Sequence, residues 1–181
     1  THGDVLFTNY GLSGSAILDI SRHASFALSQ NKEVFVVLDL MPLLEKEALQ
    51  SLLHKRLPFA EGKPLLLWLE GIIPKKLALF VIHACQFEHI KNASMLGAKE
   101  LKKLLFTLKA LRLHVKGTKG FESAEVSAGG VDVRELDEKT LMSKKEKNLY
   151  FCGELLDIDG DCGGFNLHFA FAGGIIAGEN L

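Results

Sequence analysis

The sequence predicts an α+β fold: a β-rich domain interrupted by a helical subdomain and followed by a C-terminal segment of different character. Three observations predict it. Strand-like runs rich in β-branched and apolar residues stand on both sides of a central block. Inside that block, from Met41 to about Leu111, the apolar spacing becomes helical. Beyond Gly129, a short apolar run ends in Gly153-Glu154, and an acidic loop, a Gly163-Gly164 pair and an apolar, small-residue segment follow.

Asp4 to Gly14 reads as a strand running into a glycine turn, with Ser13 or Ser15 as the cap of a helix from Ala16 to about Leu28. Ile17, Leu18, Ile20 and Ala24 form the candidate buried stripe, and Asn31 ends the helix. Glu33 to Leu40 is nearly continuous in apolar residues, as a buried strand is. The helical block shows three stripes: Leu44, Ala48, Leu49, Leu52 and Leu53; then Leu77, Phe80, Val81 and Ala84; then Leu101, Leu104, Leu105, Leu108 and Leu111. Pro42, Pro58, Pro64 and Pro74 fall at or between these segments, where proline begins or separates helices. Strand character returns at Leu113 to Lys116 and at Ala124 to Val126. Strands on both sides of the block suggest two halves of one β-rich domain that pair across it.

A chain of 181 residues holds one full domain or two small ones, and 48% hydrophobic with 24% charged residues suits a globular protein. The formal net charge of -1 supplies no whole-molecule attraction for nucleic acid, membrane or other polyanions, so neither nucleic acid nor membrane is the expected partner. Cys85, Cys152 and Cys162 fit neither a disulfide framework nor a zinc or redox spacing, which favours a reducing, cytoplasmic setting. The opening Thr-His-Gly-Asp has no signal-peptide character and no initiator Met, so the chain is expected to lie within a longer parent.

The chemistry-bearing stretch is Leu149 to Asn166. A strand over Leu149–Glu154 would place Glu154 at the carboxyl edge of a sheet, where open α/β folds bind ligands and a carboxylate accepts hydrogen bonds from sugar hydroxyls. Gly163 and Gly164 would let a ligand approach the backbone, and the helix from Leu167 to about Gly178 would offer it the positive end of its dipole. Asp157-Ile158-Asp159-Gly160-Asp161 starts like a calcium loop, but Cys162 and His168 stand where Gly and Glu are required, so an acidic turn is expected and no metal site. The seven histidines show no metal spacing, and no nucleophile elbow, P-loop or GxGxxG fingerprint is present. No catalytic residue is assigned.

Three stretches together resemble the BaiN-like, or aminoacetone-oxidase-type, group of FAD-dependent oxidoreductases, within the glutathione-reductase-like flavoproteins. They are Leu6 to Leu18, Val126 to Val131, and Leu149 to Asn166 with its closing helix through Asn180. The resemblance implies a partial β-barrel-like domain with an inserted helical subdomain, followed by the C-terminal segment of an FAD-binding α/β domain. Residues 1–40 and 112–128 would be the halves of the first, 41–111 the insert, and 129–181 the FAD-binding segment. It places Gly153 and Glu154 against the ribityl-pyrophosphate part of FAD, Gly163, Gly164 and Asn166 at the helix start facing the flavin ring, and Ala128, Gly129 and Gly130 on the approach to it. Asp161 is counted with this cofactor-binding set. The chain departs from the pattern at Asn9, Ser15, Phe165, Ala172 and Gly173. The family's N-terminal Rossmann portion, with its diphosphate loop, has no counterpart here and would be a partner of this segment.

The resemblance therefore implies part of an oxidoreductase that moves electrons or hydride to a small-molecule substrate, with FAD as cofactor and NAD(P)H as a candidate donor. The segment alone is expected to be inactive and to bind FAD weakly or not at all. The rival is a non-catalytic module that binds a partner protein or RNA through the basic helix around Lys102 and Lys109. A purely structural fragment is the third reading.

Overall fold

Leu101, Leu104, Leu105 and Leu108 share one face of a helix. In the computed structural model, which describes residues 1–181, that helix anchors the larger core. It belongs to a unit running from Phe35 to His114, while Thr1–Val34 and Val115–Leu181 together make a second unit.

The helical unit contains α2 (Lys46–Arg56), α3 (Leu65–Glu70), α4 (Lys75–Ala84) and α5 (Ala98–Lys109). Pro64 and Pro74 stand immediately before α3 and α4, where a missing N–H leaves no intrahelical bond unmade. Gly97 begins α5, and its amide donates to the Glu100 carboxylate at 3.0 Å. Leu49, Leu53, Leu69, Val81, Leu104 and Leu108 are fully buried together with Leu65 and Trp68. Arg56 closes one end of this core. Its guanidinium donates to the Trp68 carbonyl at 2.8 Å and lies 5.4 Å from the indole centroid. At the base, β3 (Val34–Leu38) pairs with β4 (Leu111–Val115), so the strands flanking the helical block meet each other. Lys109, at the end of α5, binds the Asp39 carboxylate and donates to the carbonyls of Met41 and Leu44 at 3.1 and 2.7 Å.

The two-segment unit begins with a hairpin in which β1 (Leu6–Phe7) pairs antiparallel with β2 (Leu12–Ser13). Helix α1 (Ser15–Ser29) follows. No side chain caps it: the Ser15 hydroxyl accepts the Asp4 amide instead, at 3.2 Å. Asn31, with φ 56°, stops the helix. The last element is α6 (Phe165–Glu179). Apolar burial here is thin, limited to Ala16, Leu136, Leu156 and Ala177. The expected stripe of α1 is only half-buried.

Two expected strands do not form. Residues 124–126 are exposed and follow a single 3₁₀ turn at Phe121–Ser123, with no neighbouring strand to pair with. The run 149–154 makes one bridge, Tyr150 with Met142, and then Gly153 at φ 65° turns the chain into a 3₁₀ turn, Gly153–Leu155. The architecture is thus mixed α/β, with six helices and two two-stranded sheets. No helix is long and apolar enough to cross a membrane.

Candidate functional site

Within the two-segment unit, residues 127–131 lie alongside 153–157. Val131 bridges Leu156 in parallel, its amide donating to the Leu155 carbonyl at 2.8 Å, while the Asp157 amide donates to the Val131 carbonyl at 3.0 Å. Side chains extend this seam. The Ser127 amide and hydroxyl both donate to Glu154 Oε1, at 2.5 and 2.8 Å, and the Gly129 amide donates to Asp157 Oδ1 at 3.1 Å. The Ser127 amide and then its hydroxyl hold the Glu154 carboxyl below its ordinary range, because both bonds favour the charged form.

The seam requires glycine at two places. A Cβ on Gly130 would stand 2.5 Å from the Leu155 carbonyl oxygen and 2.8 Å from the Leu156 carbonyl carbon, both backbone atoms. A Cβ on Gly153, which already sits at positive φ, would press on Ala170 of α6 at 3.2 Å. Helix α6 therefore packs directly against the turn that carries Glu154. Its far end is tied by the Tyr150 hydroxyl, which donates to the Asn180 carbonyl.

The acidic loop joins the seam to the start of α6. Asp157 takes part in the seam, and three residues later Gly160 exchanges two bonds with Asn166: its amide donates to Oδ1 at 2.8 Å and its carbonyl accepts from Nδ2 at 3.0 Å. Helix α1 secures the same loop. Arg22 pairs with Asp159 and lies 3.6 Å from Asp157, and Asp19 accepts the Cys162 amide at 2.7 Å. The guanidinium offsets part of the acidic charge at that point.

The structure thus brings Gly129, Gly130, Gly153 and Glu154 into one seam. It places Gly163, Gly164 and Asn166 at the entry to α6, with Ala128 between Ser127 and Gly129. Glu154 lies in a turn rather than at a strand end. Asn166 folds back on its own loop, and Asp161 is exposed with no hydrogen-bond partner. Ser127, Asp19 and Arg22 act on residues 27, 143 and 137 positions away, and no local signal in the sequence marks such pairings. Helix α6 begins at Gly164 without a side-chain cap, and a Cβ on Gly164 would meet nothing within 4 Å. Its first amides therefore have no side-chain partner at the positive end of the helix dipole.

Residues 1–126 match the family described as the HI0933-like protein barrel and H2TH domain, and the chain belongs to that family. It is 36% identical to a 3-dehydro-bile acid delta(4,6)-reductase of Clostridium scindens, over 98% of this chain and 43% of that protein. It is 32% identical to a ribosomal RNA dihydrouridine synthase of Escherichia coli, over 98% of this chain and 42% of the relative. A ribosomal RNA dihydrouridine synthase of Haemophilus influenzae is 33% identical over 94% of this chain and 40% of its own length. The chain spans about two fifths of the length of these relatives.

Proposed function

We propose that this HI0933-like chain is the C-terminal part of an FAD-dependent oxidoreductase that reduces an unsaturated substrate. The observation that carries the reading is the seam of 127–131 and 153–157, joined through one acidic loop to the uncapped start of α6. The relatives' names support the chemistry, since one is a reductase and the other makes the dihydro form of a base.

The residues fit the flavin end of such a cofactor. Backbone without side chains borders open space at Gly129 and Gly164, the start of α6 carries no side-chain cap, and Glu154 Oε2 accepts no bond within the chain. Gly163 and Gly164 would receive the ring edge, Ala128, Gly129 and Gly130 would line the approach to it, and Gly153 and Glu154 would face the ribityl chain. When bound, FAD supplies a hydride or electron pair to the substrate, with NAD(P)H as the proposed donor. This chain's own residues position and exclude. Ser127 fixes Glu154 as a hydrogen-bond acceptor and favours its charged form. Arg22 offsets part of the negative charge of the loop by pairing with Asp159 beside Asp157. The α6 dipole stabilises negative charge that develops at its start. The remaining diphosphate contacts would come from an N-terminal Rossmann portion of the parent, working with a cytoplasmic small-molecule substrate.

Spectra of the full-length parent test this. Flavin absorbance at about one equivalent, reduced when the Gly163-Gly164 pair is replaced by Val-Val, is the expected result. A colourless parent that takes up no added FAD would sink the reading. The isolated 1–181 chain should bind FAD weakly or not at all. The second reading is an unsaturated base in RNA as substrate, favoured by the two relatives named for ribosomal RNA.

A further inference from the structure

We propose that the exposed face of α5 is a binding surface for the phosphodiester backbone of RNA. The choice of RNA over other polyanions rests on the second reading above; the surface itself rests on charge and geometry.

The whole-chain charge of -1 conceals a division between the two units. Residues 35–114 hold twelve Lys and Arg against seven Asp and Glu, a formal +5, while the remaining residues hold nine against fifteen, a formal -6. Within the positive unit the charge is ordered. Lys99, Lys102, Lys103 and Phe106 recur at spacings of three and four, so they share the helix face opposite the buried Leu101, Leu104, Leu105 and Leu108. All four are exposed, Phe106 at 63%. None of the three lysines has an acidic partner. Lys103 instead lies 5.7 Å from the centroid of the Phe87 ring.

Beside this face, Lys99 and Lys103 line a cleft of about 220 Å³ with His89, Gln86 and Phe87. The acids nearby are already engaged. Glu100 accepts the Gly97 amide that starts α5, and Glu88 pairs with His83 at 2.7 Å. Lys109 behaves oppositely: Asp39 and two carbonyls hold it, so it is a staple of the fold and not part of the surface. Unpaired lysines with an exposed aromatic one turn beyond them are what a nucleic-acid strand requires: cations for phosphates and a ring on which a base stacks.

Binding of chain 1–181 to a fluorescent RNA hairpin, as a function of salt, tests the surface. Association that weakens steeply between about 50 and 200 mM salt is expected. The triple replacement K99Q/K102Q/K103Q should weaken it roughly tenfold at the lower salt and reduce the salt slope by about 2. Phe106→Ala should weaken it about fivefold or more, with the slope unchanged. The control K144Q/K145Q/K147Q makes the same change in net charge in the other unit and should bind as the unaltered chain does. Circular dichroism checks that each variant is folded. Equal losses in the two triples would overturn the assignment, as would no RNA binding at low salt or tighter binding to a DNA duplex of the same sequence. No flavin is needed, so failure here leaves the oxidoreductase reading standing, and a colourless parent would leave this one standing.

Discussion

The helical unit and the two-segment unit are built on opposite principles. The first encloses nearly all of the buried apolar residues and presents a charged exterior. The second has little core, held by bonds of long sequence range, and leaves Phe165, Leu167, Phe171 and Ile175 of α6 exposed. Stability and chemistry are therefore carried by different parts of the chain. Leucine packing defines the helical unit, whereas glycines, one arginine and a few carboxylates define the seam, where a side chain in the wrong place excludes the arrangement.

The largest effect should follow from the packing contrast. Leu104→Ala removes a fully buried side chain and should destabilise the helical unit by about 2–5 kcal/mol in urea denaturation. Phe171→Ala, at a residue 69% exposed, should change stability by no more than about 0.5 kcal/mol. Comparable losses from the two would break the comparison.

Gly130→Ala should come next. Its new methyl meets backbone on both near sides, and φ 152° disfavours any side chain. A local loss of about 2 kcal/mol is expected, read as lost hydrogen-exchange protection at the Val131 and Asp157 amides. Gly117→Ala, with open space around it, is the matched control and should leave both amides protected.

Much of the helical unit was legible in the sequence. Leu101, Leu104, Leu105 and Leu108 declare their face by spacing alone, and all four are buried. Asn31 was expected to end α1 and does so at positive φ. Leu65 to Leu69 lies in α3, yet a continuous apolar run has no period by which the sequence declares a helix. The seam was half legible. Its glycines and Glu154 stand out by type, but the strand expected over 149–154 ignored the freedom of Gly153 to turn the chain. The partners of Glu154 and Asp159 lie too far away in sequence for any window to find. Lys109 looked like one more exposed lysine, and only the position of Asp39 shows otherwise.

The smallest effect concerns pH. Glu154 titrates below its ordinary 4.5, so its link to Ser127 is at full strength above that value and is lost as pH falls through the depressed one. The Ser127 amide resonance should therefore stay constant at neutral pH and move only in that acid window. Glu154→Gln should abolish the movement. A transition at or above the ordinary carboxylate range would contradict the seam.

The division of charge has a further meaning for handling and for encounter. A molecule whose total is close to zero ordinarily ignores both kinds of ion exchanger. This one is a zwitterion on the scale of whole domains, so an anionic surface meets a cation of +5 and a cationic surface an anion of -6. Its isoelectric point therefore does not describe its retention on a resin.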